Sequence, residues 1–459
     1  MNLHRMLEER ARAGKPVRVG LIGAGKFGTM FLAQARRTPG LHVMAVADLA
    51  PARADAALAR AGWSAEERGA PSFAAALERG GTHVCDDAYA LIAADGLDVA
   101  IDATGQPAAG IAHARACFAA GRHVVMVNVE ADALAGPLLA REAAEAGVVY
   151  SLAYGDQPAL IAEMVDWARA SGLDVIAAGK GTRYLPGFHH VTPDDVWTHY
   201  GLTPAEAEAG GMNPQMFNSF LDGTKSAIEM AAVANATGLT PAPDGLGFPP
   251  CATDELAEVL RPREDGGTLH HKGQVEVIAS ERRDGSAIDA HLRWGVYAVF
   301  EAGTHYVAAC FREYGLQTDS TGRYAAMYKP YHLIGLELGI SVASIALRGE
   351  PTGAPTGFRA DAVACTKAHL QAGTRLDGEG GYTVYGRLMP AAASLAGGHL
   401  PIGLAHGVEL KRAVEPDTPL TWDDVTAAEG AAADAVDARR AMEAAFAPDE
   451  PARAARAGA

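Results

Sequence analysis

The sequence predicts an α/β protein: an N-terminal doubly wound parallel sheet, an α+β second domain and a small β-rich module near the end of the chain. Three observations carry that prediction. Short apolar, β-branched runs alternate with Ala-rich helical stretches over residues 15–155. A glycine-rich turn, Gly23-Ala24-Gly25-Lys26-Phe27-Gly28, joins the first such run to the first helix after it. Beyond about Arg359 the pattern changes to short β-type runs separated by turn residues.

The run Val17 to Ile22 reads as a buried parallel strand, and Thr29 to Arg36 as a helix. In a strand–turn–helix unit of this kind, Gly23 permits the tight turn. Gly25 lets backbone N–H groups approach a pyrophosphate, and Gly28 lets helix and strand pack closely. Lys26 and Phe27 complete the turn, and the helix N-terminus supplies N–H donors and partial positive charge for phosphate. A second strand, Leu41 to Ala47, ends on Asp48 at the distance where an acidic side chain binds the adenosine ribose hydroxyls. Asp48 alone favours NAD over NADP, and the nearby Arg53 leaves that choice open. Pro51 to Arg60 is helical. Leu97 to Ala103 is a strand ending at Thr104-Gly105-Gln106-Pro107, a loop placed to pass beneath the nicotinamide. After a helix over Gly110 to Ala120, the strand His123 to Val127 ends at Asn128-Val129-Glu130. A helix over Leu134 to Ala146 and a strand over Val148 to Ala153 complete a Rossmann domain over residues 1–155.

The chain of 459 residues has core enough for two or three domains. Its 39 basic and 55 acidic residues give a net charge of −16, which argues against nucleic acid or an anionic membrane as partner. A small anionic substrate in a local basic pocket stays compatible. Five scattered cysteines without a C-x-x-C pair suit reduced thiols in the cytoplasm. Met1 to Lys15 reads as an amphipathic helix rather than a signal peptide, and stretches such as Leu338 to Leu347 are too short to span a bilayer.

Residues 156–358 form the expected substrate and oligomerisation domain. A helix over Ala159 to Ala170 and a strand over Val175 to Ala178 lead to the loop Gly179-Lys180-Gly181-Thr182-Arg183-Tyr184. Glycines around Lys180 suit an anion contact or, equally, a solvated turn. Asn218 to Leu239 has helical spacing closed by Gly238 as a C-cap. Asp222, Lys225 and Glu229 share one face of it, as an active-site group or a solvated charged stripe. Leu239 to Pro250 is a Pro/Gly-rich linker. Val275 to Ser280, Ala287 to Phe300 and Thr304 to Phe311 read as antiparallel strands. The histidine pairs His189-His190 and His270-His271 suit loops better than a metal site, since adjacent histidines do not readily chelate one ion. Tyr324 to Glu337 brings Lys329, Tyr331 and His332 into one short loop, for anchoring and proton transfer or for aromatic packing. A β-rich module follows over 359–430, and residues 431–459 are Ala-rich, helical at first and disordered at the end.

Four stretches, G-L-I-G-A-G-K-F-G-T-M-F-L, F-L-D-G-T-K-S-A-I-E-M, Y-K-P-Y-H-L-I-G-L-E and L-P-I-G-L-A-H-G-V-E-L-K-R, resemble homoserine-dehydrogenase-like NAD(P)-dependent oxidoreductases with a C-terminal SAF domain. That family includes enzymes similar to 1-deoxy-D-xylulose 5-phosphate reductoisomerases, which form 2-C-methyl-D-erythritol 4-phosphate with NADPH. The resemblance departs from homoserine dehydrogenases at two places. Asn128-Val129 stands where they have Asn-Lys, and Glu229 stands at their second lysine. Those enzymes use such a lysine near the carbinol to take or give its proton.

The resemblance therefore implies NADP or NAD as cofactor, with a divalent cation (Mg or Mn) for the reductoisomerase chemistry. It also implies a homo-oligomer and a small, phosphorylated substrate. Lys180, Arg183, Lys225 and Lys329 would supply cations, while His332 and Glu229, with Asp222, would move protons. A homoserine-like or hydroxy-acid dehydrogenase is the alternative, and a dinucleotide-dependent binding protein using the SAF-like module is the third reading.

Overall fold

Val17–Ile22 (β1) is β-branched and apolar because it lies in the middle of a parallel sheet covered on both faces. The computed structural model describes residues 2–209, 212–427 and 431–447. Within them the chain forms two compact units, one reaching to Glu163 and including His332–Pro355, the other comprising Met164–Tyr331 and the chain from Thr356.

The first unit is built on β1, Leu41–Ala47 (β2), His83–Cys85 (β3), Val99–Asp102 (β4), His123–Met126 (β5) and Tyr150–Leu152 (β6). Their order is β3-β2-β1-β4-β5-β6, with every pairing parallel. This is the doubly wound sheet the sequence predicts. The strands bury Val19, Leu21, Val43, Val46, Val99, Ile101 and Val125 against Phe31 and Leu32 of the Lys26–Ala35 helix. The same core takes Leu338, Val342, Ala343 and Ile345 from the Gly339–Arg348 helix. Residues 332–355, expected in the substrate domain, thus return to the first unit, because an all-parallel sheet needs apolar cover on both faces.

The second unit holds a four-stranded mixed sheet. Asp174–Thr182 (β7), Gln274–Ala279 (β8), Val296–Glu301 (β9) and Tyr324–Lys329 (β10) are arranged β10-β9-β7-β8. Four expectations fail here, the first being Val275 to Ser280, expected as an antiparallel strand: β8 pairs with β7 in parallel. Residues 179–182 are not a loop but continue β7 between β8 and β9. Residues 287–295 are largely irregular, so the strand begins only at Val296. Thr304 to Phe311 is not a strand: the Thr304 hydroxyl accepts from Val307 N–H and starts the His305–Glu313 helix.

The single helix expected over Asn218 to Leu239 is two helices, Pro214–Leu221 and Thr224–Thr237. They are broken at Asp222-Gly223, where Gly223 takes φ 88°. In the second of these, 12 of 14 residues are buried, which explains its lack of a polar face. Towards one side it packs on β7 and β8. Towards another it packs on the antiparallel pair Ala360–Thr366 (β11) and Val384–Pro390 (β13). Arg375–Asp377 (β12) pairs with His406–Glu409 (β14) in the same module. The Ala431–Phe446 helix closes the described chain, and the expected disordered end lies outside the described residues. Among the described residues, no helix is long and apolar enough to cross a membrane.

Candidate active site

In the first unit the three glycines of the turn have three separate physical reasons. Gly23 has φ 97°, and a Cβ on it would stand 2.7 Å from the Ala103 carbonyl oxygen. A Cβ on Gly28 would meet the Gly23 carbonyl oxygen at 2.4 Å, so helix and strand require glycine there. Gly25 is different, since no atom of the protein lies within 4 Å of a Cβ built on it. Packing therefore does not demand glycine at 25, and the open space there is what close approach of a pyrophosphate would need. Gly25 also leaves the N-terminus of the Lys26–Ala35 helix without a side-chain cap, with Lys26 and Phe27 exposed beside it. These residues fit a dinucleotide, which when bound supplies or accepts the hydride.

Asp48 departs from its expected role. Its side chain is 0% exposed, so no carboxylate oxygen is presented to a ribose hydroxyl. It accepts instead from Ala24 N–H and Ala50 N–H, both at 2.9 Å, and from the Arg53 guanidinium at 2.7 Å. Burial works against its charge, but Arg53 and the two N–H groups outweigh this and hold its pKa below the usual value. Asp48 thus braces the glycine turn and orients Arg53, whose own side chain is 63% exposed.

Asn128 also acts through its neighbours. It is buried, caps the Val129–Glu145 helix by accepting from Ala131 N–H, and donates to the Gln106 carbonyl at 2.8 Å. Asn128 donates to the Thr104 hydroxyl as well, and that hydroxyl donates to the buried Asp102 carboxylate. Asp102 is also bonded to His113 Nδ1 at 2.6 Å. The network fixes the Thr104-Gly105 loop, where Gly105 is exposed with φ 65°. Asn128 therefore braces the Thr104-Gly105 loop from beneath. His332 opens the segment that passes the glycine turn: a Cβ on Gly335 would lie 2.7 Å from the Phe27 carbonyl oxygen. The Leu333 carbonyl is equally close to Gly155.

In the second unit Lys180 lies on β7 and forms a buried ion pair with Glu229 of the Thr224–Thr237 helix. The glycines beside it belong to the sheet: Cβ atoms at 179 and 181 would collide with the carbonyl oxygens of Glu276 and Leu292. Asp222, expected on one face with Lys225 and Glu229, sits instead in the helix break. Its carboxylate pairs with Lys367 at 2.8 Å, both side chains being buried. Lys225 is half-buried in the first turn of the following helix. Lys329 closes β10 with its ammonium 5.4 Å from the Tyr331 ring centre. Lys329 and His332 thus fall in different units rather than in one loop. Arg183 is tied to Glu281 at 3.0 Å.

Sequence reasoning missed a further group in this unit. His189, read as a loop histidine, is half-buried between Tyr184 and Tyr385. Its Nδ1 is 2.6 Å from the Asp222 carbonyl oxygen and its Nε2 is 3.2 Å from the Tyr184 hydroxyl. The aromatic residues around the H-H pair were the available signal. Among the described residues no three His, Cys, Asp or Glu side chains converge as a site built from protein side chains alone would require.

A dinucleotide turn on a parallel sheet is followed by a separate unit carrying buried ionisable pairs, and both segments match models of oxidoreductase families. Residues 17–127 match the oxidoreductase family with NAD-binding Rossmann fold, GFO/IDH/MocA, and residues 155–338 match the catalytic domain of Oxidoreductase DRL. Each match covers less than half of the chain, so the chain is similar to these oxidoreductase families in those two segments. No curated protein matches it.

Several solved structures are similar in part. An NAD-binding oxidoreductase from Klebsiella pneumoniae is 20% identical over 39% of this chain and 45% of its own, with TM-score 0.28. A biliverdin reductase from Synechocystis, solved with biliverdin and NADP+, is 19% identical over 37% of this chain and 48% of its own, with TM-score 0.26. A "probable dehydrogenase" from Thermotoga maritima is 13% identical over 73% of this chain and 90% of its own, with TM-score 0.38. The chain thus spans less than half the length of the first two, and at these TM-scores none of the three bears on substrate.

Proposed function

We propose that this oxidoreductase uses NADP(H) to reduce a small phosphorylated carbonyl compound. The reading taken as most specific is reductoisomerase-like conversion of 1-deoxy-D-xylulose 5-phosphate to 2-C-methyl-D-erythritol 4-phosphate. The observation that carries it is the buried Lys180–Glu229 pair beside Lys225, in the unit that does not hold the dinucleotide turn. A buried lysine–carboxylate pair is a frequent way to hold a proton at a reacting oxygen. Lys225 and Lys329 are the cations this reading assigns to the phosphate, and Asp222 and Arg183 pair with Lys367 and Glu281. The exposed Arg53 supports NADP over NAD, since a guanidinium matches a 2′-phosphate.

The resemblance to reductoisomerase-like enzymes noted from the sequence points the same way. Homoserine oxidation is disfavoured by Val129 and Glu229, which stand where the resemblance to homoserine dehydrogenases would place lysines. The test is a nicotinamide-absorbance screen of the full chain with both cofactors against 1-deoxy-D-xylulose 5-phosphate, homoserine and a hydroxy-acid panel. The expected result is NADPH oxidation with the sugar phosphate. Turnover confined to homoserine or a hydroxy acid overturns the substrate assignment.

A further inference from the structure

The second unit contains a chain of contacts that none of the roles above uses. It begins at Glu276, a buried carboxyl on β8 that accepts from Gly247, Phe248 and Val277 N–H. These bonds hold Phe248 at φ 47°, in the left-handed region that bulky residues avoid. The strained backbone lays the Phe248 ring on that of Tyr184, with centroids 4.0 Å apart and planes within 12°. Tyr184 follows β7, a short way beyond Lys180. Its hydroxyl meets Nε2 of His189, whose ring stacks on Tyr385 at 4.6 Å. His189 Nδ1 meets the Asp222 carbonyl, at the break from which the helix bearing Lys225 and Glu229 starts. Glu229 pairs with Lys180, and the circuit closes.

A backbone carbonyl only accepts, so Nδ1 of His189 must carry a hydrogen. In the neutral ring Nε2 is then a lone pair, and it accepts from the Tyr184 hydroxyl. Burial lowers the His189 pKa, against the Asp222 carbonyl and the Asp222 and Asp417 carboxylates, which raise it; His190 lowers it further. Arg283 lies over the Tyr184 ring, 5.7 Å from its centre. A tyrosine held by three rings, with its proton aimed at a tautomerically fixed imidazole, is more ordering than packing alone calls for.

We propose that Tyr184 exchanges a proton with the substrate oxygen and that His189 relays it. This rests on the second unit being the catalytic one. In the oxidative direction the substrate O–H bond breaks and its proton passes to Tyr184 Oη. The phenolic proton moves at the same time to His189 Nε2, giving an imidazolium bonded to the Asp222 carbonyl. The electron pair of the broken O–H bond becomes the second bond of the carbonyl as the hydride departs to the dinucleotide. Reduction runs the same transfers backwards, starting from the imidazolium. Tyr184 is the catalytic residue in this scheme and His189 a positioning one.

The test uses the full chain with Tyr184→Phe, which keeps the ring stack and removes only the hydroxyl, and with His189→Asn. It is run on NADPH and whichever carbonyl compound of the panel is turned over. Tyr184→Phe should lower kcat by roughly 10²–10⁴-fold with KM changed only a few-fold. NADPH affinity should be unchanged, since the dinucleotide turn lies in the other unit. His189→Asn should lower kcat less and remove a titration from the pH profile. Normal kcat in Tyr184→Phe overturns the relay. A second measurement needs no substrate: nitrogen-15 NMR of labelled histidine should show His189 as the Nδ1–H tautomer, with an Nε2 shift that moves in Tyr184→Phe. An Nε2–H tautomer overturns the relay. A panel without turnover overturns the substrate assignment instead, and the tautomer then decides the relay.

Discussion

On the proposed reading of Arg53 as the NADP determinant, replacing it by alanine should leave a protein that barely distinguishes the two cofactors. Arg53 is held by Asp48 through contacts of 2.7 and 2.8 Å, and Asp48 keeps the Ala24 and Ala50 N–H bonds when the guanidinium is gone. The turn should therefore survive, and only what Arg53 offers to a ligand is lost. A hydrogen bond to a charged group contributes about 1.5–3 kcal/mol. With the Arg53 side chain 63% exposed, solvent screening places it at the lower end. About 1.5–2 kcal/mol corresponds to roughly 10- to 30-fold weaker NADP binding. NAD, lacking the 2′-phosphate, should change by less than about 3-fold, since no charge-assisted bond is lost. Calorimetric titration of both cofactors into wild type and Arg53→Ala measures the four constants. Raising the salt concentration should narrow the wild-type preference. Equal losses for NAD and NADP, or a wild type that prefers NAD, would refute the assignment of Arg53. Asp48→Ala should weaken both cofactors, NADP the more, because Asp48 both braces the turn they share and orients Arg53.

Three further outcomes follow from the geometry. Gly25→Val should abolish dinucleotide binding with little change in unfolding temperature, whereas Gly28→Val should destabilise the fold itself, as the contact at 2.4 Å requires; thermal melts with and without NADPH separate the two. Lys180→Met alone should take from Glu229 its buried Lys180 partner, at a cost of up to about 3–5 kcal/mol, while Lys180→Met with Glu229→Leu should regain much of that stability and remain inactive. Urea unfolding of single and double variants checks this, and recovered activity in the double variant would count against the pair as proton carrier. Burial raises the pKa of Glu276 to about 7 and, in the other unit, that of Asp132 to about 7. Unfolding lets both ionise near their ordinary values, so the unfolded chain sheds protons first as pH rises. Their contribution is full below about pH 4 and lost by about pH 7, so stability should fall across that window. Glu276→Gln should flatten part of this slope in denaturant titrations at several pH values.

Much of the first unit was legible because strand and helix periods are local. Val17–Ile22, Leu41–Ala47 and the Pro51–Arg60 helix have the bounds the sequence suggests. The short, half-buried β3 and the helices at Phe73–Arg79 and Ala88–Ala93 left no such pattern. The glycines around Lys180 looked like a loop because nothing in the sequence shows that the Glu276 and Leu292 carbonyls press against them. Asp48 looked like a ribose ligand because spacing gives position, not exposure. Its commitment to Ala24 and Arg53 depends on the packed turn. Likewise, Asp222, Lys225 and Glu229 have helical spacing in one dimension, and a single left-handed glycine at 223 takes Asp222 off their helix. Its partner, Lys367, is distant in sequence and reaches it only through the fold.

That last pairing decides how the C-terminal strands are to be understood. An appended module would meet the rest of the unit through exposed, exchangeable contacts. These strands meet it through buried polar ones. Lys367 donates to the Val191 and Gly381 carbonyls besides pairing with Asp222. Asn235 Oδ1 accepts from Arg359 and Ala360 N–H, and the Thr224 hydroxyl accepts from Gly386 N–H. Each of these would be left unsatisfied if the module swung away, and a buried carboxylate stripped of its lysine is the costliest among them. The same Asp222 offers its carbonyl to His189 and opens the helix that carries Lys225 and Glu229. The module is therefore part of the wall against which the ionisable groups of the second unit are set, and their geometry depends on it as much as on the sheet.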